Sequence, residues 1–359
     1  MPNSRPIVGT ILPLLWAFWL TACWQRSDSP SETAYAGAAQ LRVFQALDPS
    51  SPVLAELEFG HRVVVLRRHR YFAYVRTEGG VEGWVEATRL LDPQQMAAFH
   101  RFSRQVAQLS SQGKATTWGP ANVHTAPCRN APTVYRLREG LLVDVVGSQV
   151  VPRTACSSPP GLLTSWSSLN SYTPPDAGSI ETPADEWRLV RLPSGLAGWV
   201  LSSFLTMALP EEVARWAEGQ RVTAYFTLGR IIDRGQTHHA WLWATLSGKL
   251  KPYQFDRIQV WSWNPRRQRY EPLYRESNLR GYYPITVSLS EPAVRAWFSI
   301  VLYAGNGQFV QRRYQVEGRQ VQKVDEAPWK PPIEPVPDLE ARREATPLPW
   351  WRRWLGGNR

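Results

Sequence analysis

The stretch "VRTEGGVEGWV" (Val75–Val85) returns 115 residues later as "VRLPSGLAGWV" (Val190–Val200). In each copy apolar residues flank a glycine-containing turn, Gly79-Gly80 in the first and Ser194-Gly195 in the second, which is the pattern of a β-hairpin. Each copy ends in Gly-Trp-Val, at Gly83-Trp84-Val85 and at Gly198-Trp199-Val200. A glycine inside a strand marks a sharp bend or a place where another backbone comes close.

The similarity extends outward from these hairpins. Leu57 lies three residues before Gly60, which is followed by the apolar run Val63–Leu66; Leu137 lies three before Gly140, followed by Leu141–Val146. Val75 and Gly83 are eight apart, as are Val190 and Gly198, whereas the separations Gly60–Val75 and Gly140–Val190 are 15 and 50. The extra 35 residues contain "CSSPPGLLTSWSSLNSYTPPDAGSIETP", whose Ser, Pro, Thr and Gly content marks an inserted surface loop. Matched landmarks of this kind predict a repeated all-β unit of about five short strands.

The progression of a glycine turn, a Val-rich strand, a second hairpin and Gly-Trp-Val resembles the bacterial SH3-like (SH3b) domain. The resemblance covers about 55 residues of the first copy and about 85 of the second, insertion included. It implies two small β-barrels whose Gly83, Trp84, Gly198 and Trp199 are structural. The ligand-facing aromatics are then expected at Tyr71, Phe72, Trp118 and Trp187, beside variable loops. Both copies depart from the family at the opening, where it often has "LNVRSGPS" and this chain has "LRVFQALDPS" (Leu41–Ser50) and "ANVHTAPCRN" (Ala121–Asn130), so ligand contacts from that loop are not carried over.

The rest of the chain divides around these copies. The first SH3-like unit is expected over 39–92 and the second over 117–206, with the insertion at 147–186. Between them "DPQQMAAFHRFSRQVAQLSSQG" predicts a linker helix over 93–113, with Asp92 as N-cap, Pro93 as the first helical residue and Gly113 as the stop. Met96, Phe99, Val106 and Leu109 give it one apolar face. "PEEVARWAEG" predicts a short helix over 210–219, opened by Pro210 and two acids. Six alternating segments between 220 and 325 predict a third β-domain of β-sandwich type. Residues 326–359 hold "PPIEPVP" and "PLPWWRRWL" and are expected to be a Pro-rich disordered tail whose Trp350, Trp351 and Trp354 favour a membrane interface or docking on the protein itself.

The N-terminus indicates the compartment. Arg5 precedes the apolar run Ile7–Leu20, which is of export-signal length and is interrupted by Pro13. The run ends in Leu20-Thr21-Ala22-Cys23, which resembles a bacterial lipobox. That resemblance implies a signal peptide over 1–22, a diacylglycerol on Cys23 and a tether over 23–38; an ordinary secretory signal is the alternative. Trp24 is not the aspartate that holds lipoproteins at the inner membrane in well-studied envelopes, which favours the outer membrane and periplasm. With Cys23 acylated, Cys128 and Cys156 remain as an even pair in an oxidising space, expected as a disulfide with two free buried thiols as the alternative.

Net charge is +11, and residues 220–325 carry 16 Lys and Arg against 7 Asp and Glu. An exported protein with this balance points to anionic lipid or cell-wall carboxylates and not to nucleic acid. Within that block Arg266, Arg267, Arg269 and Arg275, with Tyr270 and Tyr274 for stacking, are candidate anion-binding residues, or else a solvated hairpin whose tyrosines cap the core. Catalysis is not expected. No cysteine follows Cys156, His238 and His239 would point to opposite faces of a strand, and no nucleophile elbow, P-loop or paired-carboxylate signature is present. No metal or cofactor is expected. The expected function is non-catalytic binding of peptidoglycan or a wall-associated protein; the alternative is a structural or assembly partner of an outer-membrane complex, acting through the third domain. Replacing the lipobox cysteine, Cys23→Ser, is expected to abolish acylation and release the chain from membranes; unchanged intact mass and fractionation would contradict the lipoprotein reading.

Overall fold

The computed structural model describes residues 32–156, 183–248, 250–290 and 295–330. Three antiparallel sheets of seven strands each make up most of it, so the chain is mainly β. The first sheet contains β1 (Glu32–Ala36), β2 (Leu41–Phe44), β3 (Val53–Leu57), β4 (Arg62–His69), β5 (Phe72–Thr77), β6 (Glu82–Glu86) and β7 (Leu90–Leu91). The second contains β8 (Lys114–Thr117), β9 (Ala121–His124), β10 (Thr133–Leu137), β11 (Leu142–Pro152), β12 (Ala184–Arg191), β13 (Ala197–Leu201) and β14 (Leu205–Met207). Their strand orders, β3-β2-β6-β5-β4-β1-β7 and β10-β9-β13-β12-β11-β8-β14, are the same topology displaced by seven strands. A bulge repeats as well. Val65 faces Val75 and Arg67 faces Tyr74, leaving Leu66 extra; Val145 faces Val190 and Gly147 faces Leu189, leaving Val146 extra.

The repeated glycines sit where strands cross at contact distance. A Cβ on Gly83 would lie 2.6 Å from the Phe44 carbonyl oxygen and 2.7 Å from Val43 Cγ1; on Gly198 it would lie 2.5 Å from Val123 Cγ1 and 2.7 Å from the His124 carbonyl oxygen. Strand alternation then assigns the neighbouring side chains. Ala73, Val75 and Val85 join Val43, Val63 and Val65 in the first core. Trp84, opposite Tyr74 in the ladder, lies on the other face of the sheet and is still only 8% exposed. It therefore closes the outer face and does not plug the core. Trp199 belongs to the larger core of the second sheet.

Helix α1 (Pro93–Ala107) starts as its sequence dictates. Asp92 accepts a hydrogen bond from the Gln95 amide, and the Gln95 side chain accepts one from the Asp92 amide, a reciprocal capping box with Pro93 at the first helical position. Its apolar face, Met96, Phe99, Phe102 and Val106, joins Val190, Leu192, Ala197 and Trp199 in one core, and Phe99 meets Phe59 of the first module edge-on at 4.8 Å. The helix ends at Ala107, six residues before Gly113. The Gln112 amide donates to the Val145 carbonyl, which draws the chain into the second sheet before Gly113 is reached.

After helix α2 (Glu211–Ala214) and a 3₁₀ turn through Ala217, the third sheet runs in chain order: β15 (Val222–Asp233), β16 (Gln236–Thr245), β17 (Phe255–Asn264), β18 (Arg269–Ser290), β19 (Arg295–Gly305), β20 (Gln308–Glu317) and β21 (Gln320–Trp329). It is hydrogen-bonded as one long meander, because β18 continues through the Arg/Tyr-rich segment and pairs on both sides, and residues from β15 to β20 share one core. Other boundaries shift for similar reasons. Residues 32–38 of the expected tether include β1, whose Ala34 and Ala36 are buried against β4. The ends of the expected insertion are sheet, with Pro152 paired to Ala184. The start of the expected tail is β21, paired with β20 as far as Trp329. The remainder of the tail, the signal segment and residues 157–182 lie outside the described residues.

Buried polar groups join the second and third sheets. Gln112, fully buried, accepts from the Ile285 amide at 2.9 Å through its side chain and from the Tyr225 amide at 3.1 Å through its backbone. Buried Arg188 donates to the Tyr283 hydroxyl at 3.0 Å and pairs with Glu186 at 3.3 Å, while that hydroxyl donates to the Thr223 carbonyl at 2.6 Å. Arg221 of the third module also pairs with Glu186. Overpacking a backbone crossing costs about 1–3 kcal/mol. Gly198→Ala is accordingly expected to lower stability by about 2 kcal/mol in urea denaturation, whereas Gly119→Ala, with nothing within 4 Å of the added methyl, leaves the midpoint unchanged.

Candidate functional site

Trp118, directly after β8, is the most exposed large aromatic of the second module among the described residues. It is 60% exposed, yet it is held on two sides. Its indole N–H donates to the Ser203 carbonyl, and its ring stacks on Phe204 with centroids 5.7 Å apart and planes 16° apart. Its backbone amide donates to the Phe204 carbonyl at 3.3 Å. The same ladder position in the first module is Gly37, whose amide donates to the Arg89 carbonyl at 2.7 Å. A Cβ on Gly37 would lie 2.8 Å from that carbonyl, so the first module has no room for an equivalent platform. A flat ring fixed in orientation and open to water can stack against a sugar ring with little ordering cost.

The second exposed cluster is the β4–β5 hairpin. Tyr71 at its tip is 76% exposed and Phe72 is half-buried. The Arg67 guanidinium lies over the rings of Tyr74 and Trp84, 4.7 and 4.9 Å from their centroids, and His69 approaches Trp84 edge-on. Tyr71 and Phe72 are among the expected ligand-facing aromatics; Arg67–Arg70 are not, and the run "RRHRY" between two apolar strands is the signal that marks them.

The other candidates are placed differently. Trp187 is 2% exposed and packs edge-on to His124, so it is core and no ligand reaches it. It faces inward because β12 extends back to Ala184 and pairs along its whole length with β11. Tyr270 is also buried; its hydroxyl donates to Glu212 Oε2 at 2.8 Å, and the Trp241 indole donates to Glu212 Oε1 at 3.0 Å. Burial and then this carboxylate push the Tyr270 hydroxyl well above the ordinary tyrosine range. Tyr274 donates to Glu276 at 2.7 Å and is pushed up to about 12, first by burial.

Arg267 and Arg269 both pair with Glu271, whose carboxyl is held at about 2 by the Asn264 side chain and then by these arginines. Arg266 and Arg275 are exposed and form no ion pair among the described residues. In the Arg/Tyr segment Arg267 and Arg269 thus share one carboxylate of their own sheet, Tyr270 and Tyr274 bond to glutamates, and Arg266 and Arg275 are left to solvent. Its neighbour His238 stacks on Trp263 at 3.8 Å, and His239 faces Glu212 at 3.5 Å. Among the described residues no group of three His, Cys, Asp or Glu could hold a metal.

Cys128 is buried and disulfide-bonded; the side chain of Cys156 lies outside the described residues. Nearby, Asp185 joins both flanks of the insertion to the Cys128 loop. It accepts from Arg129 at 2.6 and 3.0 Å and from Arg153 at 3.1 and 2.9 Å, and its side chain is 8% exposed. These hydrogen bonds, Arg129 first, hold the Asp185 carboxyl below its ordinary value.

No protein-family model matches this chain, and no curated protein matches it. Solved structures of NlpC2 and NlpC1 from Trichomonas vaginalis align over 78% and 83% of this chain and 87% and 89% of their own, at 11% and 12% identity with TM-scores of 0.16 and 0.17. An NlpC/P60 family protein from Bacillus cereus aligns over 67% of this chain and 94% of its own at 10% identity and a TM-score of 0.22. TM-scores this low carry no argument about architecture or activity.

A depressed carboxylate pKa stabilises above the unfolded value near 4 and loses that contribution as pH falls through the folded value. Asp185→Asn is therefore expected to cost about 2 kcal/mol, less than a fully buried pair because both arginines are half exposed. The gap between parent and variant in urea denaturation is expected to stay constant from pH 5 to 8 and to close below about pH 4.

Proposed function

We propose that the chain is a non-catalytic, lipid-anchored protein of the cell envelope that binds peptidoglycan through two tandem SH3-like barrels, with Trp118 as the glycan platform. Three repeated features support the SH3-like assignment: the strand order, the single-residue bulge and the Gly-Trp-Val crossing. The observation that carries the binding site is Trp118, an exposed ring that the fold fixes through Ser203 and Phe204 and that makes no contribution to a core.

The remaining features fit this reading. Cys128, the cysteine that a thiol-dependent hydrolase would need free, is disulfide-bonded. Its proposed partner is Cys156, since Cys23 carries the lipid, and Asp185 holds both segments together. The protein is placed at the outer membrane, facing the periplasm, where the wall lies within reach of a tethered domain.

Sedimentation with purified sacculi tests the proposal. The parent is expected to co-sediment, and Trp118→Ala to bind about ten-fold more weakly, the loss of one aromatic stack. Tyr135→Ala, at another exposed ring of the same module, is expected to bind like the parent. No co-sedimentation of the parent would remove wall binding; equal binding by Trp118→Ala would remove the site.

A further inference from the structure

The tip of the β4–β5 hairpin places five consecutive exposed residues together: Arg67, Arg68, His69, Arg70 and Tyr71. Few carboxylates oppose them. Arg68 pairs with Glu32 at 3.0 Å. Glu86, opposite Phe72 in the ladder, is taken by Arg89 at 2.7 Å. Among the described residues neither Arg67 nor Arg70 pairs with a carboxylate. Arg70 adopts a left-handed backbone at φ 52°, which turns the chain and leaves Tyr71 76% exposed.

The position of this tip gives it a partner. Strand β1 runs antiparallel to β4 with Glu32 opposite Val65. Strand β4 continues four residues further, to His69, about 13 Å at the usual rise per residue. The hairpin thus projects beyond the end of the sheet where β1 begins. Glu32 is nine positions after Cys23, at most about 30 Å of chain. A lipid on Cys23 therefore keeps this end of the first module next to the bilayer.

We propose that the β4–β5 hairpin is a membrane-surface contact, with Arg67 and Arg70 on anionic lipid headgroups and Tyr71 at the interface; this rests on the lipid-anchored reading. Guanidinium groups without carboxylate partners bind phosphate through paired N–H donors, and tyrosine favours the headgroup level. The hairpin adds little affinity alone, but the anchored lipid raises the local concentration of membrane so that weak contact orients the module. The first module then rests on the bilayer while Trp118, on the second, stays available to the wall.

The test uses the exported chain from residue 23 with Cys23→Ser and ending at residue 345, so that neither lipid nor the Trp/Arg tail contributes. Vesicles of phosphatidylglycerol and phosphatidylcholine are compared with phosphatidylcholine alone. Binding to the anionic vesicles only is expected, weakened by salt. Arg67→Gln with Arg70→Asn and Tyr71→Ser is expected to bind at least about 25-fold more weakly, five-fold per arginine. Asn at position 70 tolerates the left-handed turn. The Arg70→Asn/Tyr71→Ser pair leaves Arg67 on its rings and keeps the test valid should the triple variant unfold; at least a five-fold loss is expected. Arg266→Gln with Arg275→Gln removes equal charge elsewhere and is expected to bind like the parent. No anionic binding by the parent, or an equal loss in both charge-removing variants, would overturn the contact. The mass of native Cys23 is read separately, and an unlipidated cysteine would overturn the anchor while leaving the vesicle result to judge the hairpin.

Discussion

In both amino-terminal modules the sixth strand passes the second at a distance that excludes a methyl group. Gly83 against Phe44, and Gly198 against His124, are the points where each sheet turns back upon its own second strand. The alternation of side chains on either side of these glycines follows from that crossing. Val85 is directed into the first core with Trp84 on the opposite face, while Val200 and Trp199, on opposite faces of β13, both belong to the larger core that α1 joins. Core, outer face and hairpin direction are all set by two residues without side chains.

The two modules use one scaffold to build different surfaces. At the shared bulge the first has Arg67 and the second Gly147, whose missing side chain leaves room for Leu189. The outer face of the first is closed by a stacked arginine, while the second joins α1 in a continuous core. At the other end the first has Gly37 and the second the exposed Trp118. Duplication fixed the frame, and substitutions at equivalent positions gave one copy a basic tip and the other an aromatic platform.

The second module is also bound to the third sheet by groups that are costly to bury unless paired. Arg188 and Glu186 lose water, and they are compensated by each other, by Tyr283 and by Arg221. Gln112 works as an additional backbone unit, filling donor and acceptor positions at Ile285 that the sheet edge leaves open. Such an interface tolerates little rotation, because movement would leave a charge or an amide unpaired away from water. Trp118 and the third sheet are therefore held in a fixed relation.

The sequence alone determined what depends on local pattern. The repeat, its turns, the Asp92 cap of α1 and the position of the crossing glycines were legible because each depends on a few adjacent residues and one steric rule. The exposed Trp118 was legible as an aromatic beside a loop. What only the tertiary structure decided was the environment of residues whose partners are remote in sequence. Trp187 read as a ligand-facing aromatic and Tyr270 as either a stacking residue or a core cap, and it took strand extension in one case and Glu212, 58 residues away, in the other to place both inside. The arginines near 270 read as a basic patch or a solvated hairpin, and only the assembled sheet shows that Arg267 and Arg269 share Glu271 while Arg266 and Arg275 do not pair with a carboxylate among the described residues. Conversely, nothing local in the run Arg67–Arg70 shows its pairing, and the lack of carboxylate partners for Arg67 and Arg70 became visible only once β1, β4 and β6 were in place. Charge is counted along the chain, whereas pairing and burial are decided across it.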